Sequence, residues 1–209
     1  MPADIQPITN PDDLLHNDGG AFQVDWLDFP IPDDPGPPPV PASFKVLQPN
    51  LPLTKPLRVY DYDECRITVE APRQNLTVSR CGPFFDFDFD DDEDLLLGHS
   101  RPPSPTLVGV NFKFMPGLLK LGARVSAFAD AGSFYTAQLE VRLDGDAMFL
   151  PPVESAAMTL SSMRRNAPLL AVRALNGRHI EEARFSVRDA QGAQALRRVA
   201  IGRLYFLPG

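Results

Sequence analysis

Through residues 106–206, apolar residues return at every second position in one segment after another, and this alternation limits the chain to a sheet-built fold. Successive side chains of a strand point to opposite faces, so Val108, Val110, Phe112 and Phe114 share one face while Gly109, Asn111 and Lys113 share the other. Tyr135, Ala137, Leu139, Val141 and Leu143 alternate with Thr136, Gln138, Glu140 and Arg142 in the same way. Ala183, Phe185 and Val187 alternate with Glu182, Arg184, Ser186 and Arg188. Strands with one dry and one wet face, separated by turn residues, predict an all-β chain folded as an antiparallel, jelly-roll-like β-sandwich. Its core is expected to hold Phe112, Phe114, Val125, Leu139, Val141, Val172, Phe185, Val187, Ile201, Leu204 and Phe206. Residues 154–166, with Met158, Leu160 and Met163 amid small residues, read as either a strand or a short helix.

The first part of the chain has a different texture. Proline dominates residues 30–41 and recurs at Pro49, Pro52 and Pro56, fixing φ and removing backbone donors. This predicts an extended polyproline-II spacer, with regular pairing beginning only near Leu57. The chain thus divides into an extended proline-rich N-terminal arm, residues 1–56, and a β-sandwich domain, residues 57–209. Phe22, Val24, Trp26, Leu27 and Phe29 give the arm an apolar cluster that either forms a short strand or docks on the sandwich.

Charge narrows the partners. A formal net charge of −7, with scattered Lys and Arg, argues against a nucleic-acid partner, because phosphate binding needs clustered cations. No apolar run approaches the roughly 20 residues that cross a bilayer, which argues against membrane insertion. The acidic opening, with Asp4, Asp12, Asp13 and Asp18, does not read as a secretory signal. Either the protein stays in the cytoplasm, or a signal preceded the present Met1.

Cys65 and Cys81 flank two short alternating stretches, Ile67 to Val69 and Leu76 to Val78. Folded as a hairpin about Arg73, these set the two cysteines opposite one another as a disulfide candidate. The apolar pattern prefers a register shifted by one residue, which a β-bulge would reconcile. Two free buried thiols are the alternative. A bridge would imply an oxidising compartment. Asn75-Leu76-Thr77 at the tip matches an N-glycosylation acceptor triplet.

The densest local chemistry is the acidic run Asp86, Asp88, Asp90, Asp91, Asp92, Glu93 and Asp94, which begins interleaved with Phe85, Phe87 and Phe89. On a strand the phenylalanines would turn inward and Asp86, Asp88 and Asp90 would share the other face. Crowded carboxylates repel, and Ca²⁺, which takes several oxygens at about 2.3–2.6 Å, relieves that repulsion. The run is therefore a candidate calcium site, the only cofactor expected. A hydrated acidic loop that blunts an edge strand explains the same composition.

Catalysis has little support. His16, His99 and His179 sit in the arm or beside turn residues, and Gly98-His99-Ser100 lacks a nucleophile elbow. No catalytic residue is assigned, and a non-enzyme is expected.

The order Ile8-Thr-Asn-Pro-Asp-Asp-Leu14, Val24-Asp-Trp26, Cys65-Arg-Ile-Thr-Val69, Val108-Gly-Val-Asn-Phe112, Leu121-Gly-Ala-Arg-Val125, Ile180-Glu-Glu-Ala-Arg-Phe185 and Ala200-Ile-Gly-Arg-Leu-Tyr-Phe206 resembles bacterial exported β-sandwich domains. These have a galactose-binding-like jelly roll and often occur in proteins with a PEP-CTERM sorting signal. The resemblance implies an extracellular or cell-surface module that binds, with polysaccharide or glycan as the partner, through loops at one end of the sandwich. A structural or assembly protein, in which the arm links the jelly roll to another copy or another surface protein, is the competing expectation. A sugar platform needs exposed Trp or Tyr, and Trp26, Tyr60, Tyr62, Tyr135 and Tyr205 look bound up in the arm or in strands.

Overall fold

The computed structural model describes residues 4–15, 22–24, 26, 51–52, 57–61, 65–70, 74–80, 89, 93–100, 108–127, 134–159, 166–189 and 198–209. The proline run of residues 30–41 lies outside these, as do Cys81, Asp86, Asp88, Asp90, Asp91 and Asp92.

The first half forms β1 (Ile5–Pro7), a short helix α1 (Pro11–Leu15), β2 (Phe22–Val24), β3 (Leu51–Pro52) and β4 (Leu57–Asp61). It continues with β5 (Arg66–Glu70), β6 (Gln74–Arg80) and β7 (Asp94–Ser100). The second half supplies β8 (Val108–Ala127), β9 (Phe134–Leu143), β10 (Val153–Glu154) and β11 (Met158–Thr159). It ends with β12 (Leu169–Ala174), β13 (Ile180–Asp189) and β14 (Arg198–Pro208). Among the described residues every pairing is antiparallel, as the alternating wet and dry faces require.

The 20-residue β8 turns one continuous sheet into two layers. Its first half lies between β5 and β13, with Phe112 opposite Val69 and Ala183. Its second half lies between β14 and β12, with Ala123 opposite Leu204 and Leu170. Between the halves sits Met115-Pro116-Gly117, where β8 advances from Lys113 to Leu118 while β13 moves only from Glu182 to Ile180. Extra residues on one strand bend it and re-aim its side chains. Gly117 suits this corner because a Cβ there would stand 2.8 Å from His179 Cβ.

The first layer runs β4-β5-β8-β13-β9, with β10 and β11 along the free edge of β9. The second runs β1-β12-β8-β14-β7-β6-β3, and β2 pairs the far end of β14. One apolar core lies between them and holds all the expected residues, Phe114 being the most exposed at 6%. Phe112 is its hinge: its ring meets Phe185 edge-on at 5.6 Å, stacks on Phe114 at 6.4 Å, and meets Trp26 from the other layer at 6.2 Å.

The first half departs from the reading of its sequence. Pairing does not wait for Leu57: β1 adds to β12 with Ile5 opposite Ala174, and β2 adds to β14 with Val24 opposite Leu204. Trp26 is 2% exposed and its indole N–H donates to the carbonyls of Ile201 and Gly202, so Trp26 and Val24 belong to the core, while Phe22 stays 44% exposed and Leu27 and Phe29 lie outside the described residues. The hairpin about Arg73 does not form. β5 has both edges filled, by β4 and β8, and β6 pairs β7 and β3 in the other layer. Cys65 is a buried free thiol whose Sγ lies 3.8 Å from the Pro116 carbonyl, and burial pushes its pKa up. Within residues 154–166, Glu154 and Met158-Thr159 pair β9, which settles that much of the stretch as strand.

The outer faces of the two layers differ. On the second, Leu14 of α1 is buried over Gly122 and Ala171, where a Cβ on Gly122 would lie 2.8 Å from Leu14 Cδ2. Asn10 caps α1 by accepting the Asp12 N–H, and the buried Lys120 donates to the carbonyl of Asp13, in the middle of the helix. Further along, Phe89 covers Leu95, Leu97, Ala167 and Ala200 as a separate apolar cluster. The outer face of the first layer carries the polar residues of β5, β8, β13 and β9.

Candidate functional site

Register converts the polar alternation into rows that cross the strands. Thr68, Lys113, Glu182 and Arg142 stand side by side in one row, and Glu70, Asn111, Arg184 and Glu140 in the next. A third row is Gly109, Ser186, Gln138 and Glu154, and beyond it Arg188 faces Thr136. Opposite charges thus fall on neighbouring strands, close enough to bond.

They do bond. Lys113 Nζ donates to Glu70 Oε1 at 3.0 Å, and Arg142 reaches Glu182 and Glu181, each at 2.9 Å. The Glu182 hydrogen bond, helped by Glu181, holds Arg142 above its ordinary pKa. Arg184 donates through Nε to Asn111 Oδ1 at 2.9 Å and lies nearer to Glu140 than 3.5 Å, at 3.4 Å. Its guanidinium also sits 4.6 Å from the centre of the Phe149 ring. Gly109 makes room for this: a Cβ there would stand 3.1 Å from both Cγ and Cδ of Arg184. The result is a broad face of donors and acceptors on which the charged side chains named here are held by neighbours. Individually such exposed pairs add about 0–1 kcal/mol, so their main effect is to fix positions.

A second polar cluster ties the turns at one end. Arg178 donates to Asp144 Oδ1 and Asp146 Oδ1, both at 2.9 Å, and Asn176 donates to Asp4 beside β1. Asn176 and Gly177 take φ of 56° and 71°, the left-handed region that Asn and Gly tolerate. Asp144 also accepts the His179 backbone N–H at 3.0 Å. That bond first, and Arg178 second, hold the Asp144 carboxyl below the usual carboxylate range. The folded pKa lies below the unfolded one of about 3.9, so the stabilisation is present above that pH and is lost as pH falls through the folded value. Asp144→Asn should therefore melt below the parent protein at pH 6 and close that gap in strongly acidic buffer. A gap of equal size at both pH values would count against the assignment.

Of the acidic run, the described members lie apart from this face. Glu93 is half-buried, its carboxylate against Gly202, and Asp94 is buried at the start of β7. Among the described residues no cluster of His, Cys, Asp and Glu is gathered as for a metal. Phe89 is buried, though at a bend and against the outer side of the second layer instead of in the core between the layers. The sequence marked the face residues only as a wet side. What it lacked was register, which alone shows that Arg184 stands between Asn111 and Glu140.

Among the described residues no helix is long and apolar enough to cross a membrane. No family model matches this chain, and no curated protein does. Among solved structures the chain is similar to a low-affinity xylan-binding module from the gut symbiont Roseburia intestinalis, at 11% identity and a TM-score of 0.21, over 77% of this chain and 89% of that one.

Proposed function

We propose that this protein is a non-catalytic binding module that recognises a neutral polysaccharide on the outer face of its first layer. The observation behind this reading is the difference between the two outer faces. Leu14 and Phe89 cover parts of the second layer, whereas the first presents fixed amides, guanidinia and carboxylates in rows. Such a face matches hydroxyl groups, which both donate and accept. Its cations are already matched by carboxylates, so it favours an uncharged polymer over an anionic one.

Trp26 and Tyr135 are buried and offer no stacking surface, and one side of the Phe149 ring is taken by Arg184. Phe134, 52% exposed at the start of β9, is an open ring at the edge of this layer, so binding rests mainly on hydrogen bonds that compete with water, each contributing about 1 kcal/mol, and the affinity should be weak, on the order of millimolar. An extracellular or cell-surface setting, implied by the resemblance to exported bacterial sandwich domains, belongs to the same proposal.

Native gels cast with soluble xylan, mannan or β-glucan provide the test. At least one polymer should retard the protein, and Arg184→Ala should abolish the retardation while leaving the melting temperature within a degree or two. Unretarded migration in all of them would remove the reading.

A further inference from the structure

We propose that Arg188 and Glu154 form a latch over a recessed subsite, floored by Ser186, Gln138 and Thr136, that receives one neutral sugar ring; this rests on the reading of the first-layer face as glycan-binding. Glu154 stands opposite Gln138 and Arg188 opposite Thr136, both across β9. The bond from Arg188 on β13 to Glu154 on β10 therefore crosses over β9 above those two side chains. Arg188 Nη2 donates to both carboxylate oxygens of Glu154 at 2.9 Å.

Depth supports the same reading. Ser186, Gln138 and Thr136 are 3%, 9% and 7% exposed, while the side chains of Arg188 and Glu154 above them are 41% and 36% exposed. Polar groups recessed on an outer face call for an explanation. Gln138 Nε2 donates to Glu154 Oε1 at 2.6 Å, and the Ser186 hydroxyl reaches Gln138 Oε1 only at 3.5 Å. Among the described residues the Thr136 hydroxyl meets no hydrogen-bonding partner.

An exposed ion pair is weak and screened by salt, so this roof opens at little cost. Opening it uncovers an amide and two hydroxyls without net charge, a set that pairs with vicinal sugar hydroxyls. The latch thus sets the affinity of the face, and salt strengthens binding where ionic ligands would be weakened.

Two measurements on the full chain test this. In a Cys81→Ser background, with Cys65 buried, Thr136→Cys reports access through its rate of alkylation by iodoacetamide. Adding Arg188→Ala should speed that reaction up to about fivefold, the range open to a surface pair. Loss of a neighbouring cation by itself disfavours the thiolate and slows alkylation, so acceleration reads exposure. In polymer gels Arg188→Ala should raise retardation by a similar factor, and Gln138→Ala should cancel the gain. Unchanged alkylation would overturn the latch and leave the glycan reading standing. Faster alkylation with unchanged retardation of a protein that binds would overturn the subsite. Absence of retardation for parent and variant alike would overturn both.

Discussion

Phe112→Ala is expected to destabilise the protein by about 3–5 kcal/mol, the range for truncating a fully buried phenylalanine. Phe112 is 0% exposed and sits where β8 joins the layers, with Phe185, Phe114 and Trp26 around its ring. Removing it forfeits the transfer free energy and leaves a void between layers held apart by the remaining large side chains. At about 2–4 °C per kcal/mol for a chain of this size, the melting temperature should fall on the order of 10 °C. Phe112→Leu, which keeps most of the volume, should fall by a fraction of that. A melting temperature within two degrees of the parent for the alanine variant would mean that the two layers are not packed through this residue.

Phe112 was legible from the sequence because it belongs to a long alternating run, and alternation is a local property of the backbone. The same holds for Tyr135 to Leu143 and for Ala183 to Val187, each buried on the alternate positions that the pattern assigns. Pairing partners are not local. The stretches on either side of Arg73 looked like a hairpin because they are close in sequence and both alternate, yet β5 prefers β4 and β8 while β6 joins the other layer. Nothing in residues 65–81 states that preference. It arises from β8, whose corner at Pro116-Gly117 lets one strand serve two layers. The short strand β1 escaped notice because three residues are too few to show a period, whereas β2 falls in the apolar cluster that the sequence left open between a short strand and a docked patch. The candidate face was half legible: its polar residues were identifiable, while their grouping into rows needed the register.

The clearest consequence of this N-terminal pairing is at Trp26. In β14 the pairing with β8 runs from Ile201 opposite Val125 to Leu204 opposite Ala123, so β14 carries an extra residue at Gly202-Arg203. There β14 also leaves β7, its partner through Ile201, and takes up β2 from Leu204. A bulge at such a junction frees carbonyl groups from the ladder, and buried carbonyls need donors. The Trp26 indole supplies one, at 3.2 Å from the Ile201 carbonyl and 2.8 Å from that of Gly202. Trp26→Ala removes both the donor and a large buried ring, and should cost about 3–5 kcal/mol. Trp26→Phe keeps most of the apolar volume but leaves the carbonyls unmet, and should cost about 1–3 kcal/mol. Denaturant melts followed by circular dichroism, which does not depend on the lost indole, would measure both. The ordering alanine below phenylalanine below parent is the expected outcome. If Trp26→Ala unfolded at the denaturant concentration of the parent, residues 22–26 would be a dispensable attachment, and the N-terminal segment would have no part in closing the sandwich.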